Sequence, residues 1–241
     1  MARDAPHYII DGVKYDRVTS ILSAIAKPAL APWMAKMERL YLIDALRDIL
    51  TDPHHKTDSD SIIASMESLA KEKKAGDKEK DKAGEIGSQA HDLIDWATKT
   101  ELGMKVGPRP KVQDAAEVAY MAWEDWRKEA DVVLIASEQT VHSKVHGYAG
   151  TLDLEATVKG LPTIVDYKTG KAVWPESFLQ NWAYRMALCE MRDRSPGEFS
   201  GFILRLPKTI DDPEFEVVDV PDDKHLFGVF LAAKVIREWM K

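Results

Sequence analysis

The spacing of apolar and polar positions changes twice along the chain. Near the start, Tyr8-Ile9-Ile10 and Val13-Lys14-Tyr15 flank Asp11-Gly12, a dipeptide suited to the left-handed backbone of a two-residue hairpin turn. Val18 to Ile25 then reads as helix, with Thr19 or Ser20 as the expected cap and Pro28 as the stop. From Pro32 to Leu50, Met34, Met37, Leu40, Tyr41, Ala45 and Leu46 recur at helical intervals and predict an amphipathic helix. Asp52-Pro53-His54-His55 breaks it, and Ile62 to Leu69 suits another helix. Lys71 to Lys82 is almost wholly charged with both signs interleaved, which suits a solvated helix face or loop, a DNA-contacting segment being the alternative. A helix is expected to resume at about Glu85, with Ala90, Leu93, Ile94 and Ala97 on one side, and another to run from about Val112 to Ala130.

The period then falls to two. Val132 to Ser137, Glu138 to Val145, Tyr148 to Val158 and Thr163 to Lys168 all read as strands. Pro175 opens a helix to about Met191, Phe199 to Leu206 and Phe215 to Val220 are further strands, and Asp222 to Met240 is a closing helix. Helices first, then a sheet with helices packed on it, predict an α/β fold: a mixed sheet with helices on both faces. The expected organisation is one domain over residues 1–241, with a hairpin and helical subdomain at 1–83 and the core at 84–241.

Composition narrows the classes. Hydrophobic residues are 45% and charged ones 30%, ordinary for a globular protein. No run approaches the ~20 apolar residues of a membrane helix, and Met1-Ala2-Arg3-Asp4 leads into no apolar signal core. Cys189 stands alone, so there is no internal disulfide, Cys-rich zinc site or iron–sulfur cluster. With 33 Lys and Arg against 40 Asp and Glu, the net charge of −7 gives no bulk footprint for nucleic acid, and leaves room for a local basic channel. A soluble, reduced, cytoplasmic protein is expected.

The informative stretch runs from Gly150 to Lys168. If Lys159-Gly160 is a hairpin turn, Val158 pairs with Leu161, Leu154 with Val165 and Leu152 with Tyr167, forming one apolar face. Asp153 then faces Asp166, and Thr151 faces Lys168, on the other. Like charges ~4.5–5.5 Å apart across a ladder are destabilising unless a divalent cation, which prefers oxygen ligands, reverses the sign. Lys168, two residues beyond Asp166, shares its face and could orient a nucleophilic water or stabilise charge on a phosphate. The plainer alternative is a solvated strand face on which Lys168 merely pairs with an aspartate. Gln180 and Tyr184, four apart, share one face of the following helix.

Gly150-x-x-Asp153, Asp166-Tyr167-Lys168-Thr169-Gly170 and Gln180-x-x-x-Tyr184, with Gly87-Ser88-Gln89-Ala90-His91 upstream, together resemble the RecB-like branch of the PD-(D/E)XK nuclease superfamily. Val18-Thr19-Ser20-Ile21-Leu22, with Lys27-Pro28-x-Leu30-x-x-Trp33, is similar to phage-encoded members. The resemblance implies a restriction-endonuclease-like core. It also implies that His91, Asp153 and Asp166, helped by the Tyr167 carbonyl, bind Mg²⁺ or Mn²⁺. Lys168 would position or activate the attacking water. Gln180 and Tyr184 would contact DNA and support the site, and Glu138 would stand behind the ligands. The family's clustered members need four cysteines, so no iron–sulfur cluster is expected here, and no P-loop is present.

The resulting expectation is metal-dependent hydrolysis of DNA, as an exonuclease on linear ends in phage-type replication, recombination or repair. A single-strand annealing protein or helicase is the expected partner, with no membrane. A structure-specific endonuclease on the same core and a non-catalytic binding protein are the alternatives. His54-His55 and His142-x-x-x-His146 read as surface histidines; in a strand the latter pair would stand ~13 Å apart. Trp123 and Trp126 with Tyr120 read as core, with a base-stacking platform as the alternative, while Trp33, Trp174 and Trp182 stay open. Lys144, Lys171 and Arg185 are candidates for backbone contacts, with Lys171 the best placed.

Overall fold

The computed structural model describes residues 7–25, 30–54, 58–70 and 75–240. The Pro28 stop, the Lys27-Pro28 pair, His55 and the opening residues of the Lys71–Lys82 run lie outside them. The chain divides into two compact units, one of residues 26–85 and one of the remainder. The hairpin expected to go with the helical subdomain therefore belongs to the larger unit.

The larger unit is α/β, built on a mixed, open sheet of seven strands flanked by helices. Strands β1 (His7–Ile10) and β2 (Val13–Arg17) form the hairpin, with Asp11 and Gly12 at φ 50° and 77° as the turn demands. Helix α1 (Val18–Leu22) follows without a linking residue, so its N-cap is Arg17 rather than Thr19 or Ser20. Strands β3 (Val132–Ser143) and β4 (Tyr148–Val158) pair antiparallel along their length. The two strands expected before β4 are thus one, carried past a register shift between Leu134 and Ala136.

Two different partners share the other edge of β4. Its first residues, Tyr148 and Ala149, run parallel to Asp16 and Arg17 of β2. Its far half, Leu154 to Val158, pairs antiparallel with β5 (Leu161–Lys168) in the expected register. That ladder stops at Leu154 and Val165, so the edge is forked between Gly150 and Asp153. Strand β6 (Ser200–Arg205) lies parallel to β5, and β7 (Glu216–Asp219) closes the order antiparallel to β6.

Helices cover both faces. Helix α4 (Ala75–Glu101) and α5 (Asp114–Glu129) present Ala90, Ile94, Ala119, Trp123 and Trp126 to one core, which also takes Leu154, Val165, Tyr167 and Phe202. Helix α6 (Glu176–Arg192) makes the crossover between β5 and β6 that a parallel pair requires. With α1 and α7 (His225–Trp239) it covers the other face, over Leu152, Ile164 and Ile203. Leu152 and Leu154, predicted to share one apolar face, thus enter opposite cores, and the change of side falls on Asp153.

The smaller unit holds α2 (Leu30–Thr51), α3 (Ser59–Ala70) and the opening of α4. Helix α4 starts about ten residues before the expected point, so the end of the charge run is helical. Asp77 with Lys80 and Lys78 with Asp81 stand one turn apart there, spacing that favours helix. At Gly76 a side chain would crowd the Met34 backbone, which is why glycine suits this approach of α4 to α2. Among the described residues, no helix is long and apolar enough to cross a membrane.

Candidate metal centre

The fork in the sheet is where the chemistry-bearing side chains collect. His91 comes from α4, one turn beyond Gly87, where a Cβ would press on Thr169 Oγ1 at 3.0 Å. The missing side chain lets the residue that follows Lys168 lie against the helix. The Gly-x-x-x-His spacing therefore has a packing cause. Gly150 has a similar one: a Cβ there would overlap the Tyr184 ring of α6.

His91 Nδ1 lies 3.5 Å from Asp153 Oδ1 and 3.7 Å from Glu138 Oε1. One ligand atom from each of these three side chains falls within 4.8 Å of the other two. Glu138, expected behind the ligands, converges with His91 and Asp153: the β3–β4 register sets it opposite Asp153, and its φ of 48° is left-handed in mid-strand. Asp153 Oδ2 also accepts the Tyr167 backbone N–H at 2.7 Å, replacing the ladder bond lost at the fork. In extended backbone the N–H and C=O of one residue share an edge, so the Tyr167 carbonyl is on the Asp153 side as well. The Tyr167 ring sits edge-on to His91 at 5.6 Å and its hydroxyl accepts the Trp123 indole N–H at 3.0 Å.

Asp166 is not one of the converging three. Its carboxylate is buried, with Oδ2 2.5 Å from Lys168 Nζ, while Oδ1 accepts no hydrogen bond from the described residues. Lys168 Nζ also donates to Gln180 Oε1 at 3.4 Å, and Gln180 Nε2 donates to Tyr184 Oη at 3.1 Å. The two α6 residues thus hold the lysine from behind. Lys171 is exposed on the following loop. Arg185 is corrected to a structural role: it is buried, donates to the Pro196 carbonyl at 2.6 Å and pairs with Asp222 at 2.9 Å. Trp123, Trp126 and Trp182 are core residues, whereas Trp174 is about half exposed. His146 lies in the turn after β3 rather than in a strand, with its ring edge-on to Phe227.

Charge is concentrated here. Burial alone would lower the His91 pKa, but Asp153 and Glu138 outweigh it and push it up to about 10. Burial works against ionisation of Asp153, yet His91, Lys168 and the Tyr167 N–H hold its carboxyl below the ordinary range. Asp166 is raised to about 6, first by burial and then by Asp153, against the pull of Lys168. Burial disfavours the Lys168 ammonium, but Asp166 and Asp153 raise its pKa above the ordinary lysine value. At neutral pH Lys168 is therefore a fixed positive charge.

A cleft of about 510 Å³ opens over His91, Glu138 and Asp153. Its remaining wall includes Thr19, Ser88 and Thr151 from the motif stretches, and Tyr8, Arg17 and Thr140, which motif spacing does not reveal. Tyr8 Oη and Thr151 Oγ1 are hydrogen-bonded at 2.9 Å across 143 positions of sequence, and Arg17 stands 4.9 Å over the Tyr8 ring. The local clue in the sequence is the Asp11-Gly12 turn that makes the hairpin. No model of a known protein family matches the chain, and no curated protein does.

Proposed function

We propose that this chain is a metal-dependent deoxyribonuclease of the RecB-like PD-(D/E)XK kind, acting as an exonuclease on linear DNA ends. The observation that carries the proposal is the convergence of His91, Glu138 and Asp153 at the forked sheet edge, beside the Asp166–Lys168 pair. The donor set fits a hard divalent cation with one nitrogen ligand, and an unsatisfied buried oxygen on Asp166 marks spare coordinating capacity next to it. His91, Glu138 and Asp153 would hold Mg²⁺ or Mn²⁺, with Asp166 and the Tyr167 carbonyl adjacent. When bound, the ion would polarise a phosphate oxygen and supply an acidic water near neutral pH. Lys168, kept as an ammonium by its two aspartates, stabilises charge growing on the phosphate and orients the nucleophile. Gln180 and Tyr184 fix that ammonium in place. The setting implied by the resemblance is phage-type recombination or repair, in the cytoplasm, beside a single-strand annealing protein or helicase.

The test is incubation with end-labelled linear single-stranded and duplex DNA and with closed circular DNA, in Mn²⁺, Mg²⁺ or EDTA. Loss of linear but not circular DNA is expected only with metal. Lys168→Ala should slow it by about 10²–10³-fold, the usual effect of removing one aimed donor. Cutting of the circle would instead make the protein an endonuclease. No hydrolysis with either metal would end the catalytic reading.

A further inference from the structure

The loop between β5 and α6 leaves the candidate site and returns to it. It starts after Lys168 and ends at Pro175, the N-cap of α6, whose Gln180 accepts from Lys168. Within it Val173 packs against the core, while the neighbouring Trp174 is 52% exposed. The Trp174 backbone is not loose, because its carbonyl accepts the Ser177 N–H at 2.9 Å as α6 begins. A large aromatic ring is therefore presented to solvent on an anchored backbone. Buried tryptophans of the same unit differ: Trp123 and Trp182 spend their indole N–H groups on Tyr167 and the Pro221 carbonyl.

We propose that Trp174 is a stacking platform for an unpaired DNA strand, with exposed Lys171 meeting its backbone, so that the substrate is a single-stranded or frayed end. Trp174 lies two residues before α6, and Gln180 four residues into it, so the chain holds the two backbones within about 13 Å, a reach of up to four stacked nucleotides. An indole face accepts any base, and a lysine beside it complements the phosphates without reading sequence. An intact duplex hides every base face but those of its terminal pairs and so gains little from such a ring. This inference rests on the nuclease reading above, and it names the form of DNA that reading would use.

The test is binding of fluorescein-labelled oligo-dT and of a blunt duplex of equal length, by anisotropy in EDTA, to wild type, Trp174→Phe and Trp174→Ala. Loss of one stacked base predicts roughly tenfold weaker oligo-dT binding for Trp174→Ala. Trp174→Phe should keep most of the affinity, and duplex binding should change little. Thermal melts of the variants should match wild type, since the ring is exposed. Oligo-dT affinity within twofold of wild type in Trp174→Ala, or equal losses on both DNAs, would overturn the proposal. If oligo-dT binds through Trp174 but is never cut with Mn²⁺ or Mg²⁺, the stacking stands and the hydrolysis reading fails. If oligo-dT is cut and bound equally well without the indole, hydrolysis stands and the stacking platform fails.

Discussion

Glu138 holds φ at 48° in the middle of β3, a conformation that costs most L-residues about 1–2 kcal/mol. Its position opposite Asp153 gives the strain a consequence: the backbone twist aims the Glu138 carboxylate at His91, completing the candidate ligand set. Two substitutions separate backbone from side chain. Glu138→Gly should be more stable than Glu138→Ala by about 1 kcal/mol in urea unfolding, the reverse of the usual order in a strand. Both should bind Mn²⁺ more weakly than wild type by titration calorimetry. If alanine proves the more stable, the left-handed backbone is not what the sequence maintains there. Lys168 and Asp166 were legible as a same-face pair from their spacing alone. The convergence of Glu138 was not, because one left-handed residue and one register shift redirect a strand that alternation would treat as straight.

Among elements, α6 does most to organise the larger unit. One of its faces supplies Gln180 and Tyr184, and its last turn supplies Glu190, which accepts from Ser143 Oγ at 2.5 Å, Lys144 N at 2.7 Å and Val145 N at 3.1 Å. The helix thereby clamps the turn between β3 and β4. Burial would raise the Glu190 pKa, but these donors outweigh it and lower the value in the folded state. A depressed carboxylate stabilises above its unfolded pKa and loses that contribution as pH falls through the folded value. Glu190→Gln should therefore be less stable than wild type at pH 7 by about 0.5–1 kcal/mol, solvent screening trimming the effect at this exposed carboxylate, with the gap closing as pH falls through the carboxylate range. A constant gap across pH would assign the loss to packing. Element identities were readable because the chain's period changes cleanly from 3.6 to two and Pro175 marks the start of α6. The length of α4 was not, because an interleaved charge run suits a loop and a solvated helix equally well.

For the whole molecule, the notable arrangement is a set of carboxylates crowded at a break in an otherwise continuous ladder. Ion binding there should stabilise the fold: at a hundredfold excess over Kd the gain is about 2.7 kcal/mol, or roughly 5–10 °C in a domain of this size. Differential scanning fluorimetry with Mn²⁺ measures it. Asp153→Asn should remove most of the shift, and a shift retained in that variant would place the ion elsewhere. The α/β architecture followed from the order of helices and strands. The fork did not, because it depends on which partner each half of β4 selects, and β2 lies more than a hundred residues away in sequence.

The hairpin wall of the cleft joins the β4 ladder through two residue pairs, Asp16–Tyr148 and Arg17–Ala149. Its Asp16 is braced by α7, with Arg237 at 3.1 Å and Lys234 at 3.8 Å. Every candidate ligand precedes α7 in sequence, yet the brace on this wall comes from α7. This wall of the cleft takes its final shape only once α7 docks, so a helix far from the candidate ligands helps to set the opening above them.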